Sequence, residues 1–291
     1  MAVRDEIERC LPDLTPGQQK IANAILADYP FAGLQTTQDL SHRLGVSAAS
    51  VSRFVNRLGF SGHHEFQRAL IEEMREGKRS PVEIHAGVEN DLGGDFLSDY
   101  ARRFARLAKV MSATVPHDQL AAVADLLGDR SRRIFLRGGR VSDCFARYLA
   151  VHLQQIRDGV RHLPEDPETW PDLILRLRRK DVVVLFDFRR YQPSLEGLAR
   201  AIQSQGRANI VLVTDKWQSP IARCSNRVVA LPIDVDTAWD SGACPLAFIE
   251  AVIVMVSEQD WPTAQGRIRC WDTVRRALAF PAAQAGDDDD T

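Results

Sequence analysis

The segment Thr37–Leu58, TQDLSHRLGVSAASVSRFVNRL, spaces small and basic side chains in a way that suits one task. Ser47 stands where a helix N-cap belongs, because its hydroxyl can satisfy an orphan amide of the following turn. Winding the next residues as a helix puts Val51, Phe54, Val55 and Leu58 on one face. Ala49, Arg53 and Asn56 then point the opposite way, flanked by Ser50, Ser52 and Arg57. So small, polar and basic a face suits a helix lying in the major groove of double-stranded DNA. Residues 40–64 carry Arg43, Arg53 and Arg57 and no acid, although residues 1–80 balance ten Lys/Arg against ten Asp/Glu. Phosphates would meet positive charge only on that surface, and counterion release there would supply sequence-independent affinity. A plain helical hairpin shares the two amphipathic helices and the glycine between them. The cap, the small outer residues and the local lack of acid argue for the DNA reading. His63 and His64 do not share a helix face and have no third ligand nearby in the sequence, so they do not read as a metal site.

A second stretch with chemical potential is RGGRVSDC, residues 137–144. A glycine turn that opens a helix is a natural anion site, since free amides and the helix dipole face the ligand. Gly138, Arg140 and Ser142 are the candidate contacts there; a purely structural turn is the other reading.

These two sites need different supports. Before residue 75 only helical signals occur, with Leu40 and Leu44 forming one apolar edge and Gly45 permitting the turn. After residue 95 the segments RRIFLRGG, KDVVVLFDF, ANIVLVTD and NRVVALP supply compact β-branched runs, and VRHLP is a candidate for one more strand. Helical patterns cover about 96–113, 117–127, 142–156, 193–205 and 245–257. Continuous apolar strands alternating with helices predict a doubly wound α/β domain whose parallel sheet binds ligands outside the carboxyl ends of its strands. The expected organisation is an all-α DNA-binding domain over residues 1–75, a linker over 76–95, an α/β domain over 96–280 and a disordered acidic tail over 281–291. The linker, with four glycines and many charges, is expected to bury little.

Composition agrees with two globular domains: 291 residues, 45% hydrophobic and 26% charged, with a net charge of −2. Neutrality on average conceals the acid-free surface above. Five cysteines lie at least 20 residues apart, without zinc-ligand spacing, and read as free thiols of a reducing compartment. The opening MAVRDEIERC lacks the apolar run of a secretion signal, and runs such as Val182–Phe186 and Ala251–Val256 are too short to span a bilayer. A cytoplasmic protein without cofactor or membrane partner is the expectation.

The run DLSHRLGVSAASVSRFVNRLGFSGHHEFQRAL resembles the N-terminal domain of RpiR-type transcription regulators, which carry gVS-x-x-[ST]-V-x-R-F-x-x-[KR]-LGF-x-G. Val46, Ser47, Ser50, Val51, Arg53, Phe54, Arg57, Leu58, Gly59, Phe60 and Gly62 match it. The resemblance implies a C-terminal SIS (sugar isomerase-type) domain with a Rossmann-like α/β fold that senses phosphorylated sugars and dimerises. Such domains carry G-x-G-x-S in their first loop; Gly138 and Ser142 fit, and Arg140 replaces the second glycine. They carry S-x-S-G-x-T in a second loop, which aligns without gaps to DFRRYQ. Asp187 and Arg189 then replace the serines, Arg190 the glycine and Gln192 the threonine. A carboxylate at Asp187 would repel a phosphate at short range unless compensated. Further on, TDKWQSPIA matches the family's T-D-x-x-x-S-P-x-A around Thr214, Asp215, Ser219 and Pro220.

Three readings of the altered loop stay open. Arg189 and Arg190, with Tyr191, bind a different anion such as a carboxylate. Alternatively Asp187 pairs with an arginine such as Arg140, closing the pocket so that the domain only dimerises. In the third, Asp187, Arg189 and Arg190 recognise a cationic or zwitterionic metabolite. Trp239, Asp240 and Ser241 precede a long helix and are expected at the same cleft. The leading expectation is a homodimeric, or larger, transcription regulator with a DNA operator and a small effector, a phosphorylated sugar or other anionic metabolite. The alternatives are an effector-independent dimeric DNA-binding protein and a sugar-phosphate isomerase, for which Glu196 and Glu250 are the candidate bases.

Overall fold

The computed structural model describes residues 3–86 and 94–279. The expected acidic tail, and residues 87–93 of the expected linker, lie outside the described residues.

Six helices come first: α1 (Val3–Cys10), α2 (Pro16–Ala27), α3 (Thr37–Leu44), α4 (Ala48–Arg57), α5 (His63–Glu76) and the short α6 (Pro81–His85). Local chemistry sets their ends. The Thr36 hydroxyl accepts the Asp39 amide at 3.1 Å and starts α3. Gly45, at φ 60°, closes it in the left-handed region where a side chain would strain. The Ser47 hydroxyl accepts the Ser50 amide at 3.1 Å and starts α4. The apolar face of α4 (Val51, Phe54, Val55) is fully buried with Ile21 and Ile25 of α2 and with Phe66 and Leu70 of α5. Burial of that kind stabilises by roughly 1.5–3 kcal/mol per large side chain, more than local propensity supplies.

Two helices, α7 (Phe96–Thr114) and α8 (His117–Gly128), lead into the sheet. Its strands are β1 (Ile134–Gly138), β2 (Val160–His162), β3 (Val182–Phe186), β4 (Asn209–Asp215) and β5 (Arg227–Leu231). All pairs are parallel, in the order β2-β1-β3-β4-β5, so VRHLP does supply the additional strand. The apolar runs are continuous because both faces are covered. Ile134, Leu136, Val182, Val184 and Phe186 join α8, α9 (Asp143–Ile156) and α12 (Ala243–Gln259) in one core. Phe135, Val183 and Leu185 face the other way, onto α10 (Trp170–Arg176) and α11 (Pro193–Gln205). A last helix, α13 (Trp261–Ala279), packs against α9. Periodicity predicts neither α10 nor α13.

The stretch after α5 departs from expectation. Ser80 and Glu83 form a capping box that starts α6, and Ile84 is buried. An S-x-x-E spacing with proline at the first helical position is a readable start signal inside an otherwise linker-like composition.

Candidate DNA-reading face and effector cavity

On α4, the side chains of Ser47, Ala49, Ser52, Arg53, Asn56 and Arg57 are exposed, and Ser50 is half-buried beside its cap. Arg53 lies along this surface, with Nη2 donating to Ser50 Oγ at 3.3 Å. The inner face of α4 is held by the core, so its outer face is presented on a rigid element. His63 Nε2 lies 2.8 Å from the Gln35 carbonyl, a structural contact. Among the described residues no cluster suits a metal.

In the α/β domain the strand order reverses direction between β1 and β3. There the loop after β1 leads to α9 on one face, and the loop after β3 leads to α11 on the other. A crevice at the carboxyl ends of such a pair is a consequence of the topology. A cavity of about 260 Å³ lies there. Of the residues expected at a ligand, Arg140, Ser142, Asp187, Arg189, Arg190 and Ser241 line it, together with Trp239 and Asp240.

Gly138 and Tyr191 do not line it. A Cβ on Gly138 would stand 2.4 Å from the Asp143 backbone nitrogen, so this glycine lets β1 and α9 meet. Tyr191 turns away, and its hydroxyl donates to Asp215 Oδ1 at 2.8 Å. The pairing of Asp187 with Arg140 is also overturned. Asp187 accepts Ser219 Oγ on Oδ2 and the Gln192 amide, at 3.2 Å, on Oδ1, and no ion pair joins it to Arg140 among the described residues.

The loop after β3 is tied down by a buried network. Asp215 accepts the Arg189 amide at 2.7 Å and the Trp217 amide at 3.0 Å in addition to Tyr191. The Thr214 hydroxyl donates to the Asp187 carbonyl at 2.6 Å. Arg190, aligned with the family's glycine, keeps a left-handed backbone at φ 68°. The turn therefore survives the loss of the residue that adopts it without strain. Burial pushes the Asp187 carboxyl up to about 7, against the hydrogen bonds from Ser219 and Gln192. Burial likewise pushes Asp215 up to about 6 while its three donors pull the other way.

The glycine loop is engaged as well. The Gly139 amide donates to Ser142 Oγ at 2.8 Å, and that hydroxyl donates to the Phe186 carbonyl at 2.7 Å. The Arg140 amide donates to Gln192 Oε1 at 2.7 Å. Gly138 N is taken by Asp143 Oδ1 at 2.9 Å. Three amides of the expected anion turn thus have partners within the chain.

Sequence reasoning missed several walls of the cavity: Phe145, Phe188, Ile233 and Pro245, and also Arg79, Pro81 and Ile84 from the stretch after α5. The contact with that stretch is direct. The Arg190 amide donates to the Gly77 carbonyl at 3.1 Å, and a Cβ on Gly77 would stand 2.9 Å from the Tyr191 hydroxyl. Arg223 reaches the DNA-reading bundle too, pairing with Asp28 at 3.0 Å and lying over the Phe31 ring. Only the Ser80–Glu83 box could have drawn attention to this wall from sequence.

A helix-turn-helix bundle joined to a parallel α/β domain with a cavity at its switch point has the plan of a DNA-binding transcription regulator. Residues 1–77 match the helix-turn-helix domain of the rpiR family, and residues 129–255 match the SIS domain. The chain belongs to the RpiR-type regulators. Its fold is similar to the Vibrio vulnificus NanR protein complexed with ManNAc-6P, at 16% identity and TM-score 0.52 over 97% of this chain and 100% of that one. It is also similar to the sugar isomerase domain of an RpiR transcription factor from Sphaerobacter thermophilus, at 17% identity and TM-score 0.53 over 61% and 97%. At these identities the likeness is one of fold. Among the described residues no helix is long and apolar enough to cross a membrane.

Proposed function

We propose that this regulator works in the cytoplasm as a homodimer that places Ser47–Arg57 in successive major grooves of an operator and senses a small anionic metabolite in the switch-point cavity. The DNA assignment rests on the exposed, acid-free outer face of α4 set on a buried apolar one. An exposed stripe of Trp271, Val274 and Leu278 on α13 supports association with a second copy, since an isolated chain gains nothing by leaving such a face wet. The cavity reads as a binding site and not a catalytic one. Its carboxyls are Asp187, with both oxygens engaged, and Asp240, which faces Arg189 at 3.5 Å. Glu196 pairs with Arg200, and Glu250 accepts the Tyr148 hydroxyl at 3.3 Å. Turnover of any sugar phosphate by the purified chain would overturn that part.

The experiment is a mobility-shift titration on a duplex selected by the wild-type chain from a random pool. Arg53→Ala should weaken binding by about 1–3 kcal/mol, with two chains per duplex by light scattering. Unchanged affinity would remove α4 from the interface, and a single chain per duplex would remove the dimer.

Effector and operator communicate, in this reading, through the Gly77–Ile84 stretch, which ends the reading bundle and walls the cavity. Gly77→Val inserts carbon into the 2.9–3.0 Å approach of Tyr191 and Trp217. It should destabilise by about 1–3 kcal/mol and speed tryptic cleavage after Lys78 and Arg79. An unaltered cleavage rate would mean that the loop after β3 does not hold this stretch.

A further inference from the structure

The altered loops place the chain's own side chains against the expected anion turn. Gln192 stands where the family has threonine, and its Oε1 takes the Arg140 amide at 2.7 Å. The same oxygen lies 3.2 Å, and Asp187 Oδ1 3.6 Å, from where a Cβ on Gly139 would be. An amide oxygen and a carboxyl oxygen thus crowd the turn at the start of α9 where a phosphoryl group would need free N–H groups. Gln192 is held in that role, because its Nε2 donates to Ser194 Oγ at 3.0 Å and its amide to Asp187 Oδ1.

The unsatisfied donors lie elsewhere, on Arg189. Its side chain is 5% exposed, it lines the cavity, and its guanidinium stacks 4.0 Å over the Trp217 ring. Two of its nitrogens, Nε and Nη2, make no hydrogen bond. Those two share one edge of the guanidinium plane, and that edge is the fork that receives both oxygens of a carboxylate side by side. Asp240 Oδ1 forms an ion pair with Nη2 at 3.5 Å, without a hydrogen bond to either nitrogen of the fork. Burial raises the Asp240 carboxyl, against the pull of the Arg189 charge. A buried guanidinium edge without hydrogen bonds carries a desolvation penalty that a well-aligned carboxylate relieves.

The remaining walls define what the carboxylate is attached to. Phe145 and Phe188 meet edge to face at 5.8 Å, Ile84, Ile233 and Pro245 add aliphatic surface, and Trp239, 72% exposed, lines the mouth. An indole left this exposed at the rim of an apolar cavity gains burial only when something occupies the cavity. These walls suit a flat apolar body, and Arg79, Arg140 and Arg190 add positive charge around it.

We propose that the effector is a small organic carboxylate with a flat apolar body, held by the Nε/Nη2 edge of Arg189 in place of Asp240 and covered by Trp239, and that the phosphosugar position is occupied by the chain's own Gln192. This inference rests on the regulator reading above and names the ligand class of the same cavity.

The test uses the full chain with benzoate, phenylacetate and indole-3-acetate on one side and glucose 6-phosphate and inorganic phosphate on the other. Thermal shift, calorimetry and indole emission are the readouts. At least one aryl carboxylate should raise the melting temperature and change the emission, with the emission change lost in Trp239→Phe. Arg189→Gln should weaken that binding about tenfold or more, and Arg189→Lys should also weaken it, because it keeps the charge and loses the fork. The unliganded melting temperature of each variant reports whether it folds. The phosphates should have no effect on wild type and should stabilise Asp187→Ser/Gln192→Thr, in which the turn amides are freed. Stabilisation of wild type by glucose 6-phosphate, indifferent to Arg189, overturns the proposal, as does the failure of every aryl carboxylate. Operator binding in the same preparations separates the two levels. If it persists, only the ligand class falls; if it is absent, the regulator reading falls with it.

Discussion

Asp187→Asn should gain stability over wild type as the pH rises, by about 2–3 kcal/mol more at pH 8 than at pH 5. The sign follows from the direction of the shift. Burial lifts this carboxyl from the ordinary 3.8 to about 7, so between those values the folded chain holds a proton that the unfolded chain has released. Stability contributed by the protonated carboxyl is complete below pH 4 and is lost as pH climbs through 7. Asparagine keeps the shape of the neutral acid, offering an oxygen to the Gln192 amide and an N–H to Ser219. It cannot ionise, so its curve lacks that slope. Urea unfolding of both chains at pH 5 and pH 8 is the measurement. A difference between variant and wild type that stays constant with pH would mean that Asp187 is charged in the fold. Asp215, also raised, retains its own shallower dependence in both chains.

Gly138→Ala should be the more disruptive change, lowering stability by about 3 kcal/mol or abolishing soluble expression. The added carbon meets backbone: Asp143 N at 2.4 Å, and Asp143 Cα and the Ser142 carbonyl carbon at 2.5 Å. No rotamer relieves a backbone clash, so β1 and α9 must separate, and with them the Gly138–Asp143 hydrogen bond. Asp143 also receives Arg137 at 3.3 Å and His162 at 2.9 Å, and their alignment would be lost together. Gly197→Ala is the internal comparison. Gly197 sits inside α11 with nothing within 4 Å of an added Cβ, so alanine there should be neutral or stabilising by up to about 1 kcal/mol. Equal effects of the two substitutions on the unfolding midpoint would contradict the packing described for the first loop.

The parts of the molecule that are legible in the sequence are those decided locally. Ser47 caps α4 by bonding an amide three residues away, and Gly45 ends α3 through its own backbone freedom. The runs of β1, β3 and β4 announce buried strands because each is covered on both faces, as the alternation between two cores shows, while the edge strand β5 is buried chiefly on one. The fold class follows from such signals. The composition of the cavity does not, because it depends on pairs far apart in the chain. Gln192 reaches the Arg140 amide across 52 positions, and Ser219 reaches Asp187 across 32. Nothing in the string DFRRYQ says that Tyr191 turns inward to Asp215 while Arg189 leaves Nε and Nη2 without a hydrogen bond. The stretch after α5 misleads for another reason. Its glycines and charges resemble a spacer, and only the two-residue capping box contradicts that composition.

In the proposed function, that stretch would set how the protein keeps time with a metabolite. Arg79, Pro81 and Ile84 belong to the cavity wall and to the leash of the reading head at once. Under the proposed coupling, whatever free energy operator contact spent in repositioning this stretch would reappear, with equal size, in the hold on the metabolite. A molecule parked on its operator and one diffusing free would then respond to different concentrations of the same compound. The set point of the sensor would depend on where it sits.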